Sequence, residues 1–304
     1  MNLDPGIRIR HIRCFLEVAR LGNLADAAGA LHVTQPAVSK TLKELELALG
    51  ADLFDRSRRK MRLNEAGRIF QQHGATALSE LSRAQSAVRR EAGRPQSVAI
   101  GALPTAASDL LPRAAIEFAR EKPNCLVRIS TGPNWLLLSQ LREGVLDLVV
   151  GRMAQSDQMA GLTFEQLYVE DVVLVARPDH PLIGSTTISG SLPDYPLILP
   201  PKGAVISQTV RSYLVSIGIH SALPMFETVS LAFGRRAVQL SDAVWFISRG
   251  VVAEEIKMGV LGEINLRHPM LAGPVGISLR DDASINLERD AFRDVLRQCA
   301  VNRT

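Results

Sequence analysis

The sequence predicts a multi-domain α+β chain. It has an N-terminal winged helix-turn-helix, a long dimerisation linker helix and a C-terminal two-lobed α/β domain. Three observations carry this. Charge is split: residues 1–95 hold 16 Lys and Arg against 10 Asp and Glu, whereas the other 209 hold 19 against 21. Two short amphipathic helical patterns flank a tight turn near residue 33 and lead into a basic hairpin. From Ser97 onward, apolar strand patterns alternate with helical ones. The expected domains are 1–65, 66–95 as linker helix and hinge, and 96–304.

The first helix is expected over Ile9–Leu21, with Ile12, Phe15, Leu16 and Ala19 on one face and Gly22 as its stop. A second, Leu24–Leu31, packs Ala27, Ala28 and Leu31. His32, Val33 and Thr34 form the turn, and Thr34 suits a helix N-cap. Pro36 sits in the first turn of the third helix, where its missing N–H costs nothing. That helix runs over Gln35–Leu49, turns Val38, Leu42, Leu45 and Leu49 inward, and stops at Gly50. Residues 52–54 and 61–63 bracket a wing whose tip holds Arg56, Arg58, Arg59 and Lys60. From Asn64, a further N-cap, a helix continues to about Glu91. Phe70, Gly74, Ala77, Leu81, Ala84 and Val88 recur along it at spacings of 4, 3, 4, 3 and 4. This heptad seam fits dimerisation through a helix about 40 Å long, or packing of the helix on its own domain. Gly93, Arg94 and Pro95 then mark a boundary.

In the second part, strands are expected at 98–100, 126–130, 146–150, 172–176, 197–199, 225–229, 244–247 and 275–279. Helices lie between them and one closes the chain at 287–299. The alternation reads as parallel sheets, and 209 residues suit two lobes better than one.

The helix-turn-helix carries the first candidate chemistry. A recognition helix places its N-terminal side chains at base edges in the major groove. Gln35 can pair with adenine, Lys40 can reach guanine, and Ser39 can serve a base or a phosphate. The candidate DNA-contacting set is Thr34, Gln35, Pro36, Ser39, Lys40 and Lys43 on the helix, with Arg56, Arg58, Arg59 and Arg62 on the wing. The wing cations would follow the phosphate backbone and add salt-dependent affinity.

Enzyme chemistry finds no support. The six histidines are scattered without metal spacing, and no GxSxG, GxxxxGK[ST] or GxGxxG occurs. Cys14, Cys125 and Cys299 are odd in number and far apart, which fits reduced thiols. The longest stretch without a charged residue, Ser212–Phe226, is 15 residues and too short for a membrane span. The N-terminus lacks a secretory apolar core, so a cytoplasmic protein without cofactor or metal is expected.

Phe15-Leu16-Glu17-Val18-Ala19, Asn23 to Ala28, Leu31 to Lys40, Leu53-Phe54-Asp55-Arg56 and Leu63 to Gly67 resemble the opening of LysR-type transcriptional regulators. Asn64 stands where that family usually has Thr. Within the family, Gly101 to Thr105, Asp147 to Arg152, Phe226 to Ser230 and Ser241 to Ser248 are similar to activators of protocatechuate-degradation operons. Some of these stretches also occur in regulators of sugar-uptake genes. The resemblance implies promoter DNA as partner, a homodimer or homotetramer, contact with RNA polymerase, and a C-terminal effector domain like a periplasmic binding protein.

In such a domain small ligands sit at the carboxyl ends of the strands. The candidate effector set is therefore Pro104, Thr105, Thr131, Asn134, Arg152, Lys202, Gly203, Ser207, Thr228, Ser230, Phe246 and Ser248. Helix N-termini and hydroxyls beside Lys202 and Arg152 suit a small organic anion, an aromatic or muconate-type carboxylate. Each hydroxyl also reads as an ordinary helix cap, and Arg152 as a surface or inter-lobe ion pair.

Overall fold

A computed structural model describes residues 4–55, 61–91, 96–185, 188–220, 223–266, 268–281 and 286–302. The chain divides into two compact units, Met1–Arg94 with Arg142–Val145, and Pro95–Leu141 with Leu146–Thr304.

The first unit opens with α1 (Ile9–Leu21), α2 (Leu24–Leu31) and α3 (Gln35–Leu49). Both α1 and α3 end at glycines in the left-handed conformation, Gly22 and Gly50. Asn23 caps α2, its side chain accepting the Asp26 N–H at 2.7 Å. Thr34 occupies the N-cap position of α3, but its side chain makes no capping hydrogen bond, contrary to expectation. The turn is instead shaped by His32, the one non-glycine residue at positive φ among those described, whose N–H returns to the end of α2. Strands β1 (Phe54–Asp55) and β2 (Arg62–Leu63) pair antiparallel as the stem of the wing. Phe15, Val18, Ala27, Val38, Leu42, Leu45 and Phe54 form the core.

Helix α4 (Glu65–Glu91) carries the heptad seam in two ways. Its first half packs on its own unit: the ring of Phe70 meets Phe15 edge-on at 5.1 Å, and Gly74 and Ala75 are buried. Ala77, Leu81 and Ala84 are exposed. The side chain of Val88 and residues 92–95 lie outside the described residues.

In the second unit, β3 (Gln96–Ala102), β4 (Cys125–Thr131) and β5 (Leu148–Arg152) are parallel neighbours, with α5 (Pro104–Ala107), α6 (Leu110–Glu121) and α7 (Asn134–Arg142) between them. The long β6 (Leu162–Ala176) then carries the chain into a second lobe. That lobe holds α8 (Ile188–Ser191), β7 (Leu197–Leu199), α9 (Ser207–Ser216), β8 (Phe226–Glu227), α10 (Leu231–Leu240), β9 (Val244–Ser248), α11 (Ala253–Lys257) and β10 (Gly262–Ile264). Strand β11 (Ala272–Arg280) returns to the first lobe, and α12 (Leu287–Val301) packs there, Phe292 against Phe118 at 5.0 Å.

The strand order is β4-β3-β5-β11-β6-β9-β7-β8, with β10 also on β6. This corrects the all-parallel expectation. The pairs β11–β5, β11–β6, β6–β9 and β6–β10 are antiparallel, because the chain must cross to the second lobe and come back alongside itself. The first ten residues of β6 and all of β10 were not expected as strands. Polar residues such as Glu165 and Gln166 interrupt the apolar run there, and that stretch is only half-buried. Residues 172–176 do show a buried apolar run, because helices cover both faces of the second-lobe sheet. Among the described residues, no helix is long and apolar enough to cross a membrane.

Candidate functional site

Helix α3 turns Val38, Leu42 and Leu45 into the core, so the opposite side is free to meet a partner. Thr34, Gln35, Pro36, Lys40 and Lys43 are exposed there, and Ser39 is half-buried. Arg62 is exposed on β2, whereas Arg56, Arg58, Arg59 and Lys60 lie outside the described residues. Three polar ties fix this face, and of these only the Asn64 cap is foreseen from the sequence. Buried Glu46 accepts the Leu53 N–H at 2.9 Å, joining α3 to the start of the wing. Asn64 caps α4 by accepting the Gly67 N–H at 2.8 Å and donates to the Asp52 carbonyl at 2.7 Å. His11 lies 3.2 Å from Glu44 on α3, and its hydrogen bond holds the Glu44 carboxyl below the usual range. A helix docked this way leaves amide, ammonium and hydroxyl groups on its outward side, a chemistry suited to a polyanionic groove.

The second unit contains a cavity of about 600 Å³ at the carboxyl ends of β3, β4, β5 and β9. Pro104, Thr105, Thr131, Asn134, Arg152, Lys202, Gly203, Thr228, Phe246 and Ser248 all line it. Helix α5 starts right after β3, and α7 right after β4, which is what brings Thr105 and Asn134 to the same opening. Thr105 and Ser248 are buried and bond each other across the lobes at 3.3 Å. Asn134 is buried and donates to Gln158 at 3.1 Å. Lys202 is exposed.

Arg152 is 6% exposed, and its Nη2 donates to the Glu170 carbonyl at 2.7 Å. Burial pulls its pKa down, opposed by Glu170 and Asp171. It is therefore not the surface group that its position after a strand allowed.

Two expected residues do not line the cavity. Ser207 is buried and donates to the Pro200 carbonyl at 3.3 Å, and Ser230 caps α10 by accepting the Phe233 N–H at 3.4 Å. Both hydroxyls serve their own chain segment, Ser230 in the capping role its sequence position equally allowed and Ser207 by bonding back to the loop before its helix. The sequence reading missed the apolar walls. Trp135, Val205, Val229, Leu231 and Val251 all border the cavity. The signal lay in plain view, since each follows or sits beside a turn already chosen for its polar residues. The result is a mostly apolar chamber with hydroxyls, one amide and one buried cation, suited to a small molecule with an apolar body and an acidic end.

Comparison with known proteins fits both parts. Residues 9–68 match the bacterial regulatory helix-turn-helix protein, lysR family, and residues 91–300 match the LysR substrate binding domain. The chain is 41% identical over 301 residues to the HTH-type transcriptional regulator PcaQ of Agrobacterium fabrum, covering 98% of this chain and 96% of that one. Its fold is similar to a full-length OxyR variant from Pseudomonas aeruginosa, with TM-score 0.63 at 24% identity over 97% and 99% of the two chains. It is also similar to full-length CbnR complexed with its target DNA, with TM-score 0.59 at 20% identity over 96% and 100%. With a matching helix-turn-helix followed by a matching substrate-binding domain, the chain belongs to the LysR family of transcriptional regulators.

Proposed function

We propose that this regulator binds promoter DNA through Thr34, Gln35, Pro36, Ser39, Lys40 and Lys43 of α3 with the wing residues Arg56, Arg58, Arg59 and Arg62. Its effector is a small organic acid of aromatic or muconate type, and its targets are genes of aromatic, protocatechuate-type catabolism. It works in the cytoplasm as an activator, as a homodimer or homotetramer that engages RNA polymerase. The organisation into a DNA-binding domain at 1–65, a linker at 66–95 and an effector domain at 96–304 belongs to the same proposal.

The observation that carries the effector reading is Arg152, a buried cation in the wall of a cavity whose apolar sides include Phe246, Trp135 and Val229. Burial makes this guanidinium costly, the charges of Glu170 and Asp171 offset only part of that, and a ligand carboxylate would add a further partner. The identity to PcaQ over nearly the whole chain supports the same direction.

Calorimetric titration of the purified protein with protocatechuate, its carboxymuconate ring-cleavage product and galactose tests the reading. Saturable binding of either acid is expected. Binding of galactose alone would make the protein a sugar-responsive regulator and overturn the aromatic assignment.

A further inference from the structure

One carboxylate joins the first turn of α1 to the outward side of α3. His11 of α1 is 2% exposed, and its Nδ1 accepts the Arg8 N–H at 3.2 Å. The proton of the neutral ring therefore sits on Nε2, which donates to Glu44 Oε2 at 3.2 Å. Arg10 Nη2 reaches the same oxygen at 3.4 Å, and its Nε lies 3.4 Å from the ring. Glu44 stands one helical turn beyond Lys40, and residues four apart on a helix are neighbours. The two charges do interact: after the His11 hydrogen bond and the charge of Arg10, the charge of Lys40 also holds the Glu44 carboxyl below its usual range. Yet the ion pairs of Glu44 run to α1, and among the described residues the Lys40 ammonium has none.

We propose that His11 and Arg10 are positioning residues for DNA binding, which hold the Glu44 carboxylate on α1 and so leave the Lys40 ammonium to the DNA. Without these two donors Glu44 takes Lys40 as its partner on the same helix, and an uncompensated carboxylate stands beside the approaching phosphates. Two half-exposed side chains of opposite charge attract one another only modestly, so each donor is worth about two- to fivefold in affinity. The inference rests on the reading of Lys40 as a DNA contact.

Fluorescence anisotropy of the full-length protein on a promoter fragment, at several salt concentrations, tests it. His11→Leu fills the space but cannot donate, and Arg10→Gln removes the exposed second donor without touching the core. Each should bind about two- to fivefold more weakly at low salt, and the loss should shrink as salt screens the charges. His11→Gln, an ordinary capping-box residue at this position of a helix, can keep both partners and should bind like the wild type. Glu44→Gln keeps an oxygen for the His11 N–H but drops the charge. It should bind at least as tightly as the wild type, and in its background His11→Leu and Arg10→Gln should cost nothing further.

A tie that merely seats α3 would make Glu44→Gln a loss by itself, and that result overturns the proposal. So does a loss in Arg10→Gln that persists beside Glu44→Gln, or wild-type binding by Arg10→Gln alone. These outcomes decide it even where His11→Leu fails to fold. Lys40→Ala separates the underlying reading. If it leaves affinity unchanged, Lys40 is no DNA contact and the inference falls with it. If it weakens binding while Glu44→Gln rescues neither variant, the positioning role alone is wrong.

Discussion

The hydroxyl of Thr105 donates to the hydroxyl of Ser248 across the two lobes at 3.3 Å, joining residues 143 apart in sequence. Both are almost fully buried and both line the cavity, so one bond serves as an inter-lobe tie at the wall of the ligand chamber. Ser248 in turn stands opposite Val172 on β6.

Thr105→Val removes this tie while keeping the shape of the side chain. It leaves a buried Ser248 hydroxyl without its donor, a loss of about 1–3 kcal/mol. In a unit of this size we expect the midpoint of thermal unfolding to fall by roughly 2–10 °C. Acid binding in the calorimeter should weaken or vanish, whereas affinity for promoter DNA should stay unchanged. Thr105→Ser should restore both properties in large part. A Thr105→Val protein that binds protocatechuate like the wild type would remove this residue from the effector site.

On the candidate DNA face, Gln35 and Arg62 are both exposed but differ in chemistry. Gln35 stands at the first turn of α3, where an amide can read a base edge. Arg62 stands on the wing strand, where a cation meets phosphate. Arg62→Ala should weaken binding to all DNA sequences alike and reduce the slope of log K against log salt by about 0.9. Gln35→Ala should keep the slope and relax preference at one position by about 1–3 kcal/mol. Fluorescence anisotropy with a promoter fragment and a scrambled duplex, each at several salt concentrations, separates the two. Equal losses on both duplexes for both variants would refute this division.

How much of this was legible in the sequence depended on the range of the interactions. Helices α1 to α3 were readable because their apolar spacing, glycine stops and Pro36 are local signals, each within a turn or two. The cavity residues were readable from chain order, since a strand leading into a helix puts Thr105, Asn134 and Lys202 at the same end of the sheet. Pairing was not readable. Thr105 with Ser248, His11 with Glu44, and Arg152 with the Glu170 carbonyl each join segments whose proximity only the topology creates. The same reason hid the antiparallel crossover: alternation of strands and helices is equally strong in a sheet that runs one way and in one entered and left by two long strands. Ser207 and Ser230 show the converse error. A hydroxyl beside a helix start has local backbone partners at hand, and in these two cases it uses them.

His180 makes the second lobe sensitive to acid. Its Nδ1 accepts the Leu182 N–H at 3.1 Å and its Nε2 lies 3.2 Å from the Asp242 carbonyl, so Nε2 carries the single proton of a neutral ring. The ring is 2% exposed and packs on Tyr195 with centroids 4.5 Å apart. Burial pushes its pKa below the ordinary histidine value, more than the neighbouring Asp242 raises it. An exposed histidine in the unfolded chain takes up its proton near pH 6.5, at about the model-peptide value. Below that point the unfolded state binds a proton that the folded state refuses. The contribution of His180 to stability is therefore complete above about pH 6.5 and is lost as the pH falls through that value toward the lowered one. We expect the unfolding midpoint to drop between about pH 7.5 and about pH 5.5. A His180→Gln protein, which cannot titrate, should start lower at the upper pH and change less across the interval. Calorimetric scans of both proteins at the two pH values measure this. An equal drop in the two would assign the acid sensitivity to other groups.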